Sequence, residues 1–214
     1  MEKQEIGCKI HLCEECLQGI PSLALQGWLE QELAFCRQNS REELYCNFRE
    51  YILPIFPVLG LAENFIRELV HYLDKALRCY LTTEKILDFG FGLHQVHFYF
   101  FKVNFSEELK ERYQEFIPYY WTRSHILSKR LPELMPISLL ARRNIMFSDD
   151  LEKTWWKYHD YLLPEDKTLL KEIVAIPELH VNESFCFKLV ETFKKVKRYL
   201  LEPKVENISS AMIH

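Results

Sequence analysis

The sequence predicts an all-α protein: a single compact multi-helix domain of about seven to nine helices over 1–202, with a flexible C-terminal tail at 203–214. Three observations carry this. Of 214 residues only six are glycine and nine proline, fewer than a loop-rich β fold carries. Hydrophobic residues make up 48% and aromatic residues 14%, which supplies a core and sets the chain apart from disordered ones. Segment after segment also repeats its apolar residues at intervals of three and four.

Residues 22–37 place Leu25, Trp28, Leu29, Leu33 and Cys36 at that spacing. Ser40 opens a capping box with Glu43, and Leu44, Phe48, Tyr51 and Ile55 follow on one face, with Pro54 marking a kink or an end. The clearest helix covers 61–81, with Phe65, Leu69, Tyr72 or Leu73, Ala76 and Tyr80 as its inward stripe. Glu63, Arg67, Asp74, Lys75 and Arg78 lie outside that stripe. A minor irregular or strand-like segment stays open near 86–105. Gly90 and Gly92 interrupt the pattern there, and the aromatic run 94–101 suits a strand or a buried helix. An isolated strand would lack a partner, which favours helix.

Residues 104–107 read as a new cap, followed by Leu109, Tyr113 and Phe116 until Pro118. Pro118, Pro132 and Pro136 punctuate 118–147 into two or three short helices. Ser148, Asp149 and Asp150 cap the next, which carries Leu151, Trp155, Tyr158 and Leu162. Pro164 stands at a first helical position ahead of Leu169, Leu170, Ile173 and Val174. Asn182 caps a last helix with Cys186, Leu189, Phe193, Val196 and Leu200 in its stripe.

Charge and termini narrow the function. A net charge of −4, from 27 basic and 31 acidic residues, argues against nucleic acid as the main partner, because phosphate contacts demand a basic excess. The start, Met1 to Glu5, has no apolar signal region, and no run approaches the roughly 18 apolar residues of a membrane span. The seven cysteines are an odd number, read as free thiols of a reducing compartment. Together these give an expected cytoplasmic or nuclear location.

Two constellations have metal-ligand spacing. Cys8, His11, Cys13 and Cys16 offer zinc four ligands within nine residues, Cys13 and Cys16 having the two-residue gap that grips one ion. Glu68 and His71 have the i, i+3 spacing of di-iron bundles, and His94 and His97 share it, although no second carboxylate–histidine motif exists. Phe89 to Gln95 resembles the loop around the haem ligand of haem-thiolate monooxygenases. Val96 stands where that family has its cysteine, so Gly90 and Gly92 read as a bend between helices. No phosphate loop, nucleophile elbow or zinc-histidine helix motif occurs.

The remaining signal is aromatic and basic. Trp121, Trp155 and Trp156 stand among many neighbouring rings, and adjacent residues on a helix point apart, so Trp155 and Trp156 cannot both reach one core. Aromatics near a surface belong to interfaces as often as to a second small core. Arg142 and Arg143 add a basic pair. The expected function is therefore a non-enzymatic interaction protein without a cofactor: an adaptor, complex subunit or regulator. It would bind a partner helix or peptide through Trp121, Trp155, Trp156, Arg142 and Arg143. The alternative is a helical-bundle metalloenzyme or cofactor protein, with zinc or iron, using Glu68, His71, His94 and His97. A helical nucleic-acid-binding regulator comes third.

Overall fold

In the computed structural model, which describes residues 18–39, 63–103, 106–180 and 182–201, the centre of the protein is its proline-rich middle. Nine helices and no strand occur among the described residues. They are α1 (Ser22–Asn39), α2 (Glu63–Asp88), α3 (Gly92–Lys102), α4 (Glu107–Glu115) and α5 (Tyr120–Ser128). Then follow α6 (Leu131–Arg142), α7 (Ser148–Tyr158), α8 (Pro164–Leu179) and α9 (Phe185–Leu201).

Of the 12 residues of α6, all but Glu133 and Arg142 are buried, and a helix apolar on every side belongs inside a core. Pro132 fits the first turn; Pro136 sits in the interior, where it deprives the helix of one hydrogen bond. Packing against α2, α3, α5, α7 and α8 holds the helix regardless. The apolar residues of 126–140 therefore form the middle of one core, not a second small one, and Leu134, Trp155, Ile173 and Phe193 share that cluster.

α2 carries the expected stripe of Leu69, Leu73, Ala76 and Tyr80, all buried, and runs on to Asp88. Gly90, with φ of 85°, makes the turn into α3. The described part of the open segment 86–105 is thus the end of one helix, a turn and the whole of another. α3 buries Gln95, Val96 and Tyr99 but leaves Phe100 and Phe101 exposed. In α9, Leu189, Phe193 and Val196 are buried where the helix meets α2, α5 and α8.

Some local expectations need correction. α1 turns Ala24, Gly27 and Gln31 inward and leaves Leu33 exposed. The reason is a close crossing: a Cβ on Gly27 would lie 2.3 Å from the carbonyl oxygen of His94 on α3. Ser184 caps α9, its hydroxyl accepting the Phe187 N–H at 3.2 Å, because Asn182 stands two residues too early. Ser148 is the first residue of α7 rather than its cap; Phe147 precedes it in the left-handed region. In α4 the cap is Ser106, which accepts the Leu109 N–H at 3.2 Å.

A buried polar knot ties α4, α5 and α8. The Tyr113 hydroxyl donates to Asp166, whose carboxylate lies 2.9 Å from Arg123 Nε. Arg123 also donates to the Ile117 carbonyl at 2.6 Å, and the Leu163 N–H donates to the Tyr113 oxygen at 3.0 Å. Burial raises the Asp166 carboxyl above its ordinary value, and the Tyr113 and Arg123 contacts limit that rise.

Cys79 is a buried free thiol, pushed up to about 11 by burial. Cys36 is disulfide-bonded, so the seven cysteines are not all free, and the cysteine-based ground for a reducing compartment goes with that expectation. Among the described residues no helix is long and apolar enough to cross a membrane. The expected helix at 40–55 and the tail at 203–214 lie outside the described residues.

Candidate functional site

Among the described residues, five of the ten exposed large apolar side chains stand on α1 and on two neighbouring turns, α2–α3 and α6–α7. Between α1 and the α2–α3 turn lies a groove of about 400 Å³, lined by Glu30, Leu33, Ala34, Lys85, Ile86, Asp88, Phe89 and Phe91. Its walls follow from two glycines. Gly27 lets α1 close onto α3, which rotates Leu33 and Ala34 toward the α2 terminus. Gly90 reverses the chain with a positive φ, which leaves Phe89 68% exposed and Phe91 45% exposed on either side of it.

One carboxylate in the groove has a fixed position. Glu30 Oε1 lies 2.6 Å from His94 Nδ1, and Gln95 Nε2 donates to Glu30 Oε2 at 3.2 Å and to the Gly27 carbonyl at 2.8 Å. The His94 ring stacks on Phe91 with centroids 5.7 Å apart. Phe91 is thereby oriented by the same histidine that holds Glu30.

The α6–α7 turn lies alongside. Ile145 packs so tightly on Gly92 that a Cβ there would meet it at 3.0 Å, with Leu87 at 2.9 Å on the other side. Beyond Ile145, Met146 and Phe147 are exposed. Asn144 and Phe147 have φ of 52° and 67°. Asparagine tolerates the left-handed region; a phenylalanine there is an outlier costing about 1–2 kcal/mol. Phe147 bears that cost with its ring 53% exposed, so burial of the ring does not offset it. Leu33, Phe89, Phe91, Met146 and Phe147 are half of the exposed large apolar residues described, which distinguishes this end from a surface with scattered ones.

The residues singled out in the sequence lie elsewhere or are otherwise engaged. Trp155 is 0% exposed and stacks on His159 at 3.9 Å, so it is a core residue and not a contact for a partner. Trp156 is partly buried against the same core, with Lys171 over its ring at 5.4 Å, and it meets Trp155 edge-on with centroids 5.0 Å apart, so both tryptophans reach one core, contrary to the expectation from their adjacency. The Trp121 side chain lies outside the described residues. Arg142 pairs with Glu178 at 2.9 Å and donates to the Val174 carbonyl, while Arg143 reaches Glu84 at 3.6 Å. Both arginines tie α6 to neighbouring helices.

The four iron candidates are not gathered around one point. Glu68 pairs with His125 of α5 at 3.1 Å and His71 packs edge-on to Tyr72, whereas His94 is held by Glu30 of α1 and His97 is half-buried on α3. Among the described residues no three His, Cys, Asp or Glu side chains gather as a metal site requires. Cys8, His11, Cys13 and Cys16 lie outside the described residues.

Sequence reasoning passed over Glu30 and Met146, and assigned no site role to Phe89, Phe91 or Phe147. For the four apolar ones the available signal was position: Phe89, Phe91, Met146 and Phe147 stand in turns between helices, where no core claims them. Comparison of the chain with protein-family models, with curated proteins and with solved structures finds no match. The class that the fold defines is an all-α multi-helix protein with an apolar groove at one end.

Proposed function

We propose that this protein is an interaction module, an adaptor, complex subunit or regulator, that docks a segment of another protein at the groove between α1 and the α2–α3 turn. The observation that carries the reading is the gathering of Leu33, Phe89 and Phe91, all exposed, around a concave apolar surface. Apolar side chains around a cleft are what a partner's anchor residue buries, whereas isolated ones on a convex surface mean little. Glu30, held by His94 and Gln95, adds one oriented acceptor that can select among apolar segments. The docking surface is thus displaced from the tryptophans to the two turns.

A peptide library displayed against the full chain tests this, with bound peptides mapped by amide hydrogen exchange. The reading expects protection over 27–34 and 85–94, and weaker binding for Phe91→Ser under conditions where the variant stays folded, its melting temperature falling only by the loss of the His94 stack. Peptides that protect only the α7–α8 face around Trp156, or that bind Phe91→Ser as well as wild type, would overturn it.

A further inference from the structure

We infer that the occupant of this end is an amphipathic helix of a partner protein, its apolar face laid across the groove and the Phe147 turn and its flanks carrying Lys or Arg. The inference rests on the docking reading above and deepens it. Three features point to this chemistry.

The first is backbone. Among the described residues there is no strand whose edge could pair with an extended segment. A helical partner needs no such edge, since it satisfies its own N–H and C=O groups internally.

The second is charge. Asp88 lines the groove and Asp149 stands beside Phe147, and neither makes an ion pair among the described residues. Nearby, Arg143 is engaged by Glu84, Lys153 by Asp150 at 3.9 Å, and Glu30 by His94. Among the described residues Lys85 is the one opposing cation in the groove wall. Asp88 ends α2, where the helix dipole adds to its negative potential. Each apolar patch thus has a carboxylate beside it that a basic flank would meet.

The third is strain. Phe147 holds a left-handed backbone with an exposed ring. Outliers of this kind cluster at binding sites, and here the ring gains burial only when something covers it.

The test uses the full chain and two synthetic helical peptides of about 18 residues, long enough to hold helix in solution. Both carry the same Leu/Phe face; one is flanked by Lys and the other by Glu. Fluorescence anisotropy is measured at roughly 0.01 M and 1 M ionic strength, over which screening shortens from about 30 to 3 Å. The Lys peptide is expected to bind about tenfold or more tighter at low salt, with the advantage fading at high salt. The double variant Asp88→Asn, Asp149→Asn should remove the advantage. Phe147→Gly should weaken both peptides while raising the melting temperature, a pairing that simple misfolding cannot give.

Equal binding of the two peptides to wild type, or unchanged binding to Phe147→Gly, overturns the inference. The docking reading then survives if Leu33→Ser still weakens both peptides, so the two failures are distinguishable. Binding of neither peptide, or self-association of the chain abolished by Phe91→Ser, also overturns the inference, the latter in favour of a second copy as occupant.

Discussion

Asp166 and Glu30 each hold a nitrogen-bearing side chain from another helix and a second polar group beside it, in opposite surroundings. Asp166 meets Arg123 and Tyr113 where all three are buried, at the junction of α4, α5 and α8. Glu30 meets His94 and Gln95 at the wall of an open groove, where the carboxylate and imidazole are each about a fifth to a quarter exposed. In the first case water is excluded and each group depends on the others. In the second, solvent screens the pair and can replace a lost partner. The same chemistry therefore acts as structural glue in one place and as an adjustable clasp in the other.

The sharpest way to break this comparison is to remove the cation from the buried knot. Arg123→Ala leaves Asp166 and Tyr113 without it, and such truncation should cost about 3–5 kcal/mol in urea unfolding. A loss below about 1 kcal/mol would mean that the knot is wet and no different from the clasp.

A pH titration of stability probes the buried side again, near the end of α7. His159 Nδ1 lies 2.8 Å from the Trp155 carbonyl, and burial lowers the imidazole from 6.5 to about 4. Between those values the unfolded chain binds a proton that the folded protein refuses. Stability from this group is therefore full above pH 6.5 and is lost as pH falls toward 4, by on the order of 3 kcal/mol. His125 is lowered by burial as well and acts in the same direction, while Asp166, raised by burial, acts in the opposite one. The informative quantity is thus the difference between wild type and His159→Phe, which keeps a ring against Trp155. Parallel pH curves for the two would mean that the imidazole is accessible to water.

These two sides of the molecule differed in how far the sequence revealed them. The helices whose large apolar residues face the core were readable: Leu69, Leu73, Ala76 and Tyr80 in α2, and Leu189, Phe193 and Val196 in α9, fall at the expected spacing and are buried. The face of α1 was not, because a small residue decides it. Gly27 brings the backbones together, and the larger Leu33 is turned out to become a groove wall. The centrality of α6 was hidden too, since Pro136 disfavours a helix interior locally while packing on all sides enforces one. The polar ties join residues 53 and 64 positions apart, a separation that periodicity does not register. The site itself was visible only as apolar residues in turns, a pattern without a period.

On the clasp side, the backbone crossing should matter more than the ion pair. Gly27→Ala gains up to about 1 kcal/mol of helix propensity, but its Cβ would stand 2.3 Å from the His94 carbonyl oxygen and 2.9 Å from the Phe98 Cβ. Neither neighbour is the free end of a flexible side chain, so α1 must shift, and the net loss should be about 1–3 kcal/mol. Differential scanning calorimetry of the variant measures it. A neutral or stabilised Gly27→Ala would mean that α1 is already loose on α3, and the groove with it.

The smallest effect should come from the clasp's own ion pair, and a double-mutant cycle isolates it. Glu30→Ala removes the carboxylate, His94→Ala removes the ring, and the double variant removes both. For a part-exposed pair the coupling should be below about 1 kcal/mol, because Coulomb attraction is screened and each partner can turn to water when the other is lost. The same cycle on Arg123 and Asp166 should give a coupling several times larger, since neither group has water to turn to. His94→Ala has a second consequence that the cycle separates. It removes the ring stacked on Phe91, so its single cost should exceed that of Glu30→Ala even where the coupling is small. Should the Glu30–His94 coupling match that of the buried pair, the groove wall would be as rigid as the core, and the contrast between glue and clasp would fail where it was drawn.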